Sequence, residues 1–157
     1  MTASPSSGPT SKSREQQTLD FFARWGVSFD EFCQSFVDTF TDATVWDQRP
    51  VPRLTGASNA IRFLKLARVG MRMETVDVEI LSIASSGDIV HVQRIDHLRR
   101  ADGSGIASAA VAGVLEFDGD RIVRWREYFD AGSFVGQSIA TSLLHLVRWP
   151  LRRFGST

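Results

Sequence analysis

The spacing of hydrophobic positions changes about halfway along the chain, from the period of helices to that of strands. Between Phe29 and Phe36, apolar side chains recur at the first, fourth, fifth and eighth positions, as on one face of an α-helix. From Glu74 onward, apolar and polar residues alternate, which is typical of strands with one buried face. This order predicts an α+β domain in which helices cover one face of a sheet.

Three helices and five strands follow from these patterns and from the turn residues between them. The predicted helices span Arg14–Trp25, Phe29–Phe40 and Ser58–Ala67. The predicted strands span Ala43–Gln48, a stretch that begins at Glu74, Ile89–Arg99, Ile106–Phe117 and Arg121–Phe129. Gly-Asp and Asp-Gly turns separate the last four strands, which we expect to be antiparallel neighbours. Ser28 is a predicted N-cap, and Glu31 would complete a capping box with it.

The two ends of the chain differ in composition from its middle. Residues 1–13 are rich in Ser, Pro and Thr, and we expect them to form a disordered tail before a domain at 14–135. Residues 136–157 are predicted to add a C-terminal helix, because Ser138–Phe154 is apolar and basic with no acidic residue. Docking of this helix on the body or on a partner subunit is a better interpretation than contact with a membrane surface.

Composition narrows the classes of function. The chain has 157 residues, of which 43% are apolar, and its 18 basic and 18 acidic residues cancel. This balance disfavours a general nucleic-acid-binding protein. Cys33 is the only cysteine, so no intrachain disulfide can form and a reducing, cytoplasmic location is expected. The three histidines and Cys33 have no zinc-site spacing, and we expect neither a metal nor another cofactor.

Charged residues fall on faces of two strands that are otherwise apolar. One face of the Ile89–Arg99 strand has Val90, Val92, Arg94, Asp96 and Leu98, and one face of the last strand has Val123, Trp125, Glu127 and Phe129. Because an unpaired buried charge is costly, we expect Arg94 to bridge Asp96 and Glu127 from neighbouring strands of the sheet. A purely structural ion pair remains an alternative at this point.

The same face is expected to border a cavity. The segment Ile106–Gly113 consists mostly of small residues, which leave space over the concave side of the sheet. We predict an apolar pocket there, lined by Val92, Leu98, Trp125 and Phe129. Two carboxyl groups held by one arginine can differ in pKa, so that one donates a proton while the other accepts one. Such a pair suits the addition of water to a substrate.

Two segments carry a resemblance to a known family. VHVQRIDHLRR and AGVLEFDGDRIVRWREYFD resemble the limonene-1,2-epoxide hydrolase family, through its R-x-D strand motif and its W-R-[DE]-Y-F-D final strand. The resemblance covers about residues 15–135. It implies the cone-shaped fold of the nuclear-transport-factor-2-like and SnoaL-like superfamily, with three N-terminal helices on a curved, mostly antiparallel sheet. It also implies a homodimer that converts an epoxide and water to a vicinal diol without a metal or covalent intermediate.

The resemblance further implies roles for individual residues. Asp96 would be the general acid, Glu127 the base that activates water, and Arg94 the group that holds both. The family's base is an aspartate, and its water is positioned by a tyrosine and an asparagine of the first strand. In this sequence Trp46 and Gln48 stand at those two places. Trp46 can donate a hydrogen bond but cannot accept one. The expected substrate is a small apolar epoxide.

Other functions on the same fold remain open. A ketosteroid-isomerase-like enzyme would use Asp47 as its proton shuttle, but it needs a tyrosine in the first helix, and Tyr128 is the only tyrosine. A polyketide-cyclase-like enzyme is a second alternative. A binding module that holds a hydrophobic ligand without turnover is a third.

Overall fold

The computed structural model describes residues 12–49 and 51–129. The helices in this part of the chain are α1 (Arg14–Ala23), a 3-10 turn (Arg24–Gly26), α2 (Phe29–Thr39) and α3 (Gly56–Met71). The strands are β1 (Phe40–Arg49), β2 (Leu54–Thr55), β3 (Thr75–Ser86), β4 (Ile89–Arg99), β5 (Gly105–Asp118) and β6 (Arg121–Phe129). The predicted order of helices followed by strands is confirmed. Most of the predicted tail and all of the C-terminal extension lie outside the described residues.

Polar caps begin the first two helices. The Ser13 hydroxyl accepts a hydrogen bond from the backbone N–H of Gln16. The Ser28 hydroxyl accepts one from the N–H of Glu31 at 3.1 Å, as predicted. The predicted capping box also required the Glu31 carboxylate to accept a hydrogen bond from the backbone N–H of Ser28. This part of the prediction is wrong, because the carboxylate instead accepts from Arg24 Nε at 2.8 Å.

Four helix ends differ from the predictions. The first helix tightens into its 3-10 turn after Ala23, and the second ends at Thr39, where the backbone becomes extended. The third is longer than predicted at both ends. It continues to Met71 because the buried stripe of Leu64 and Ala67 extends by one more turn to that residue.

The sheet has the strand order β2-β1-β6-β5-β4-β3 among the described residues. Strands β3 to β6 are antiparallel neighbours, as predicted, whereas β1 runs parallel to β6. The sequence did not predict β2, because two residues give no alternation to detect. Register shifts in the β3–β4, β4–β5 and β5–β6 pairs mark bulges, which help the sheet to curve around the helices.

The core between helices and sheet is strongly aromatic. Phe22, Trp25 and Phe36 of the helical layer pack against Trp125 of β6, which is fully buried. Trp46 of β1 stacks on Trp125 with ring centroids 4.9 Å apart and planes within 5°. Within the described ranges, no helix has the length and apolar character needed to cross a bilayer.

Candidate active site

A cavity of about 320 Å³ lies between α3 and the inner face of the sheet. Most of its lining is apolar, and α3 contributes Phe63, Leu64, Ala67 and Met71. Among the described residues, four lining side chains have charged or amide groups, namely Gln48, Arg94, Asp96 and Glu127. A site of this composition favours an apolar ligand that has one reactive polar group.

Arg94 binds both carboxylates that line the cavity. Its Nε donates to Asp96 Oδ1 at 2.8 Å, and its Nη2 donates to Asp96 Oδ2 at 2.9 Å. The same Nη2 donates to Glu127 Oε1. Arg94 and Glu127 are 1% and 4% exposed, and Asp96 is 9% exposed, so all three groups are withdrawn from bulk water. We refer to these three residues as the Arg94 triad.

The triad spans three strands, because β5 lies between β4 and β6. The predicted order of the last four strands places β5 between the strands that contribute Arg94 and Glu127, and the structure confirms this order. Gly113 of β5 is paired with Glu127 on one side and with Val92 on the other. A Cβ on Gly113 would lie 3.3 Å from Arg94 Nη1. The missing side chain thus provides the space through which the arginine reaches over β5, a role that sequence reasoning did not assign to Gly113.

Trp46 hydrogen bonds to the proposed base. Its Nε1 donates to Glu127 Oε2 at 2.8 Å, while the other carboxylate oxygen accepts from Arg94. An indole has one N–H donor and no acceptor, so Trp46 has no group left with which to hold a water molecule. The predicted water-positioning role is corrected for this residue, which instead orients Glu127.

Gln48 lies beside Glu127 on the inner face of the sheet. The two residues are in register across the parallel β1–β6 pair, and Gln48 is 6% exposed. Its Nε2 is buried and has no hydrogen-bond partner within residues 12–49 and 51–129. Because buried polar groups are nearly always satisfied, this amide is suited to bind a water or a substrate oxygen next to Glu127.

Burial sets the electrostatics of the triad. With both carboxyl groups ionised, the triad carries one excess negative charge in an apolar environment. Burial raises the pKa of Glu127, an effect that the Arg94 charge opposes and the Asp96 charge reinforces. Burial also disfavours the charged form of Arg94, but the charges of Glu127 and Asp96 outweigh this, and the pKa of Arg94 is raised. The arginine therefore stays charged, and the pair of carboxyls favours binding one proton.

The predicted pocket residues divide into two groups. Leu98 and Phe129 line the cavity. Val92 and Trp125 do not, which corrects their predicted role. Both belong to the hydrophobic core, where a Cβ on Gly113 would lie 3.3 Å from each of their side chains. Alternation along a strand identifies the inner face, but the position along the strand decides between core and cavity.

The residues of the isomerase alternative lie away from the cavity. The Asp47 carboxylate accepts a hydrogen bond from Arg53 at 3.3 Å and does not line the cavity. Tyr128 is 54% exposed and does not line the cavity. Within the described part of the chain, no group of histidine, cysteine and acidic side chains is arranged to hold a metal ion.

A family match agrees with the position of the triad. Residues 27–139 match the model of the limonene-1,2-epoxide hydrolase catalytic domain, which is most of the chain. The chain belongs to this family. The match includes β4 and β6 and therefore all three residues of the Arg94 triad.

Solved structures support the fold of this family member. It is similar to an LEH-like epoxide hydrolase from M. tuberculosis, with 21% identity, a TM-score of 0.65, and coverage of 86% of this chain and 91% of that one. It is also similar to a protein from Shewanella denitrificans described as a SnoaL-like polyketide cyclase, with 18% identity, a TM-score of 0.66, and coverage of 81% and 97%. These likenesses establish the NTF2-like, SnoaL-like fold that the sequence resemblance implied.

Proposed function

We propose that this protein hydrolyses an apolar epoxide to a vicinal diol in one step. The observation that supports this most directly is the Arg94 triad, in which one guanidinium holds two buried carboxyl groups at the wall of an otherwise apolar cavity. An epoxide has one oxygen that needs a proton as its ring opens, and one carbon that is attacked by water. Two carboxyl groups in opposite protonation states meet both needs.

In the proposed reaction, Glu127 accepts a proton from water while the water oxygen forms a bond to one epoxide carbon. The bond between that carbon and the epoxide oxygen breaks, and Asp96 donates its proton to the oxygen. The product is a diol, and the pair ends with Glu127 protonated and Asp96 ionised. Transfer of one proton from Glu127 to Asp96, through water or the product hydroxyl, restores the starting state.

The assignment of Glu127 as the base rests on its neighbours. Gln48 presents an unpartnered amide nitrogen on the side of the sheet where Glu127 lies, so a water bound there would be next to that carboxylate. Burial raises the pKa of Glu127, but the Arg94 charge and the hydrogen bonds from Arg94 and Trp46 lower it, and these contacts favour the ionised form that a base needs. Asp96, on the other side of Arg94, is then the acid. The homodimer implied by the family is part of the same proposal.

A panel of apolar epoxides tests the proposal, with diol formation followed by chromatography. The wild type should form diols, and the variants Asp96→Asn and Glu127→Gln should each lose about 10²- to 10⁴-fold in rate. Glu79→Gln is the matched control, because Glu79 is an exposed carboxylate on the opposite face of the sheet and should be dispensable. Circular dichroism of each variant would show that the fold is retained.

Isotope labelling separates this reaction from its alternatives. In a single turnover in ¹⁸O-water, the label should enter the diol directly, with none retained on the protein. Label retained on Asp96 or Glu127 would indicate a covalent ester and contradict the one-step reaction. Tight binding of apolar compounds without turnover of any epoxide would instead favour a ligand-binding module.

A further inference from the structure

Helix α3 has two faces of opposite character. Its inner face has Leu64, Ala67 and Met71, which line the cavity. Its outer face has Arg62, Lys65, Leu66 and Val69 at the first, fourth, fifth and eighth positions of a helical repeat, and all four are exposed. We refer to these four residues as the outer face of α3. The sequence patterns account for the inner face, whereas the outer face has no role in the proposed reaction.

The charges of the outer face are all positive. Gly56–Met71 contains no acidic residue, although the chain as a whole is neutral. Arg68 forms an ion pair with Glu74 at 2.7 Å, but neither Arg62 nor Lys65 forms one with any described residue. Arg72, which directly follows α3, adds one more positive charge at the end of the helix. It does so in the left-handed region with φ 56°, a conformation that favours glycine.

Two large aliphatic side chains lie among these cations. Leu66 is 65% exposed and Val69 is 81% exposed, the latter being the most exposed large hydrophobic residue in the described part of the chain. A helix surface that combines unpaired cations with exposed aliphatic groups is typical of helices that lie in the interface of a membrane. Nucleic acids match the cations but offer no site for Leu66 and Val69, so the combination favours lipid.

We infer that the outer face of α3 binds an anionic lipid surface. Arg62 and Lys65 would contact lipid phosphates, and Leu66 and Val69 would enter the boundary between headgroups and acyl chains. The opposite side of the same helix is a wall of the apolar cavity. Apolar compounds partition into membranes, so this contact would hold the cavity close to where such compounds concentrate. The inference does not depend on the proposed hydrolysis.

Co-sedimentation of the full chain with vesicles tests the inference without any assay of activity. Binding should occur with phosphatidylglycerol vesicles, be weaker with phosphatidylcholine vesicles, and decrease as added salt screens the charges. Each of Arg62→Gln and Lys65→Gln should weaken binding about fivefold. The matched control is Arg124→Gln, which removes an exposed arginine from the outer face of the sheet, one with no ion pair to another described residue, and should leave binding unchanged.

The aliphatic residues provide a second pair of variants. Leu66→Ser should weaken vesicle binding, while Leu81→Ser, at a leucine that is 50% exposed on β3, should not. Equal binding to both kinds of vesicle, or undiminished binding by the α3 variants, would overturn the inference and assign any lipid contact to another part of the chain. Tighter binding to a DNA fragment than to vesicles, unaffected by Leu66→Ser, would overturn it in favour of nucleic acid.

Discussion

Strand β4 has a pair of ionisable side chains in polar contact on each face, and the two pairs differ mainly in their surroundings. On the inner face, Arg94 binds Asp96 with both groups withdrawn from water. On the outer face, His97 lies 3.0 Å from Glu79, with side chains 29% and 55% exposed, and its other ring nitrogen lies 2.8 Å from the Ser108 hydroxyl. In the sequence both lie in one alternating strand, Arg94 and Asp96 on its more apolar face and His97 on its more polar face.

The two pairs differ in whether water could solvate one member if the other were removed. Water can solvate either member of the outer pair, so such contacts contribute about 0–1 kcal/mol to stability. Around the Arg94 triad there are aromatic rings, and the Arg94 guanidinium carbon is 4.5 Å from the centroid of Phe22. A charge left there without its partner has no solvent to replace it. Burial thus makes the triad both costly to disrupt and capable of proton transfer.

Removal of Arg94 should have the largest effect on stability. Arg94→Met leaves two buried carboxyl groups without their cation, and we expect a loss of about 3–5 kcal/mol in the free energy of unfolding at neutral pH. Arg99→Met is the matched control on the same strand, because Arg99 binds Asp77 where the side chains are 37% and 52% exposed. Its loss should be under about 1 kcal/mol. Urea denaturation of both variants measures the difference.

The pH dependence of that loss identifies its cause. Without Arg94, only the weaker effect of the Trp46 hydrogen bond opposes burial at Glu127, so the pKa of this carboxyl in the folded state should exceed that in the unfolded chain. The folded variant then binds protons more tightly, and it should regain stability relative to wild type as the pH falls from 8 to 5. A difference that is the same at both pH values would mean that lost packing, and not unpaired charge, destabilises the variant.

Gly113 is expected to be next in effect. A methyl group at this position would lie 3.3 Å from Arg94 Nη1, Trp125 Nε1 and Val92 Cγ1 at once, and all three side chains are buried. Gly113→Ala should therefore cost about 1–3 kcal/mol and should slow diol formation by displacing Arg94.

The control for this prediction lies in the same strand. A Cβ on Gly105 would meet only Arg99 Nη1, at 3.7 Å, which is an ordinary contact. Gly105→Ala should be neutral or stabilising by about 0.4–1 kcal/mol, since alanine restricts the unfolded chain. Equal losses in the two variants, measured by thermal and urea unfolding, would show that Gly113 is needed for backbone conformation and not for the passage of Arg94.

The sequence predicted which residues form the site better than it predicted how Arg94 reaches Glu127 across the sheet. Alternation placed Arg94, Asp96 and Glu127 on the inner face, because a period of two is a local property of each strand. It could not reveal that Gly113 provides the space in which Arg94 crosses β5, since this depends on which residues pair between the strands. A glycine inside a strand often marks a place where another group approaches the backbone closely, and this is the signal that could have identified Gly113.

The cavity lining was predicted only in part for a related reason. Val92 and Leu98 share a face of β4, but Leu98 lines the cavity whereas Val92 is in the core. Which of the two a residue does depends on where α3 lies over the sheet. The inner face of α3 is visible in the sequence as an apolar stripe, but the same stripe would serve a helix packed wholly on a core. The resemblance predicted Trp46 as a water-positioning residue, whereas its hydrogen bond to Glu127 is visible only in the structure.

Trp46 tests, with the smallest expected effect, how the residues around Glu127 set the pKa of its carboxyl group. Trp46→Phe keeps an aromatic ring near Trp125 and removes the N–H that donates to Glu127 at 2.8 Å. This hydrogen bond lowers the pKa of Glu127 against the larger effect of burial, so its loss should raise that pKa further. Because the base must be ionised, the acid limb of kcat/KM should move to higher pH, and the rate at a pH on that limb should fall about tenfold.

Trp125→Phe controls for the loss of indole volume, since Trp125 Nε1 has no hydrogen-bond partner among the described residues, and the acid limb should stay in place. A rate loss in Trp46→Phe without movement of the limb would mean that Trp46 acts through packing alone, which would make the inner face a rigid support for Glu127 and leave burial and the neighbouring charges to set its pKa.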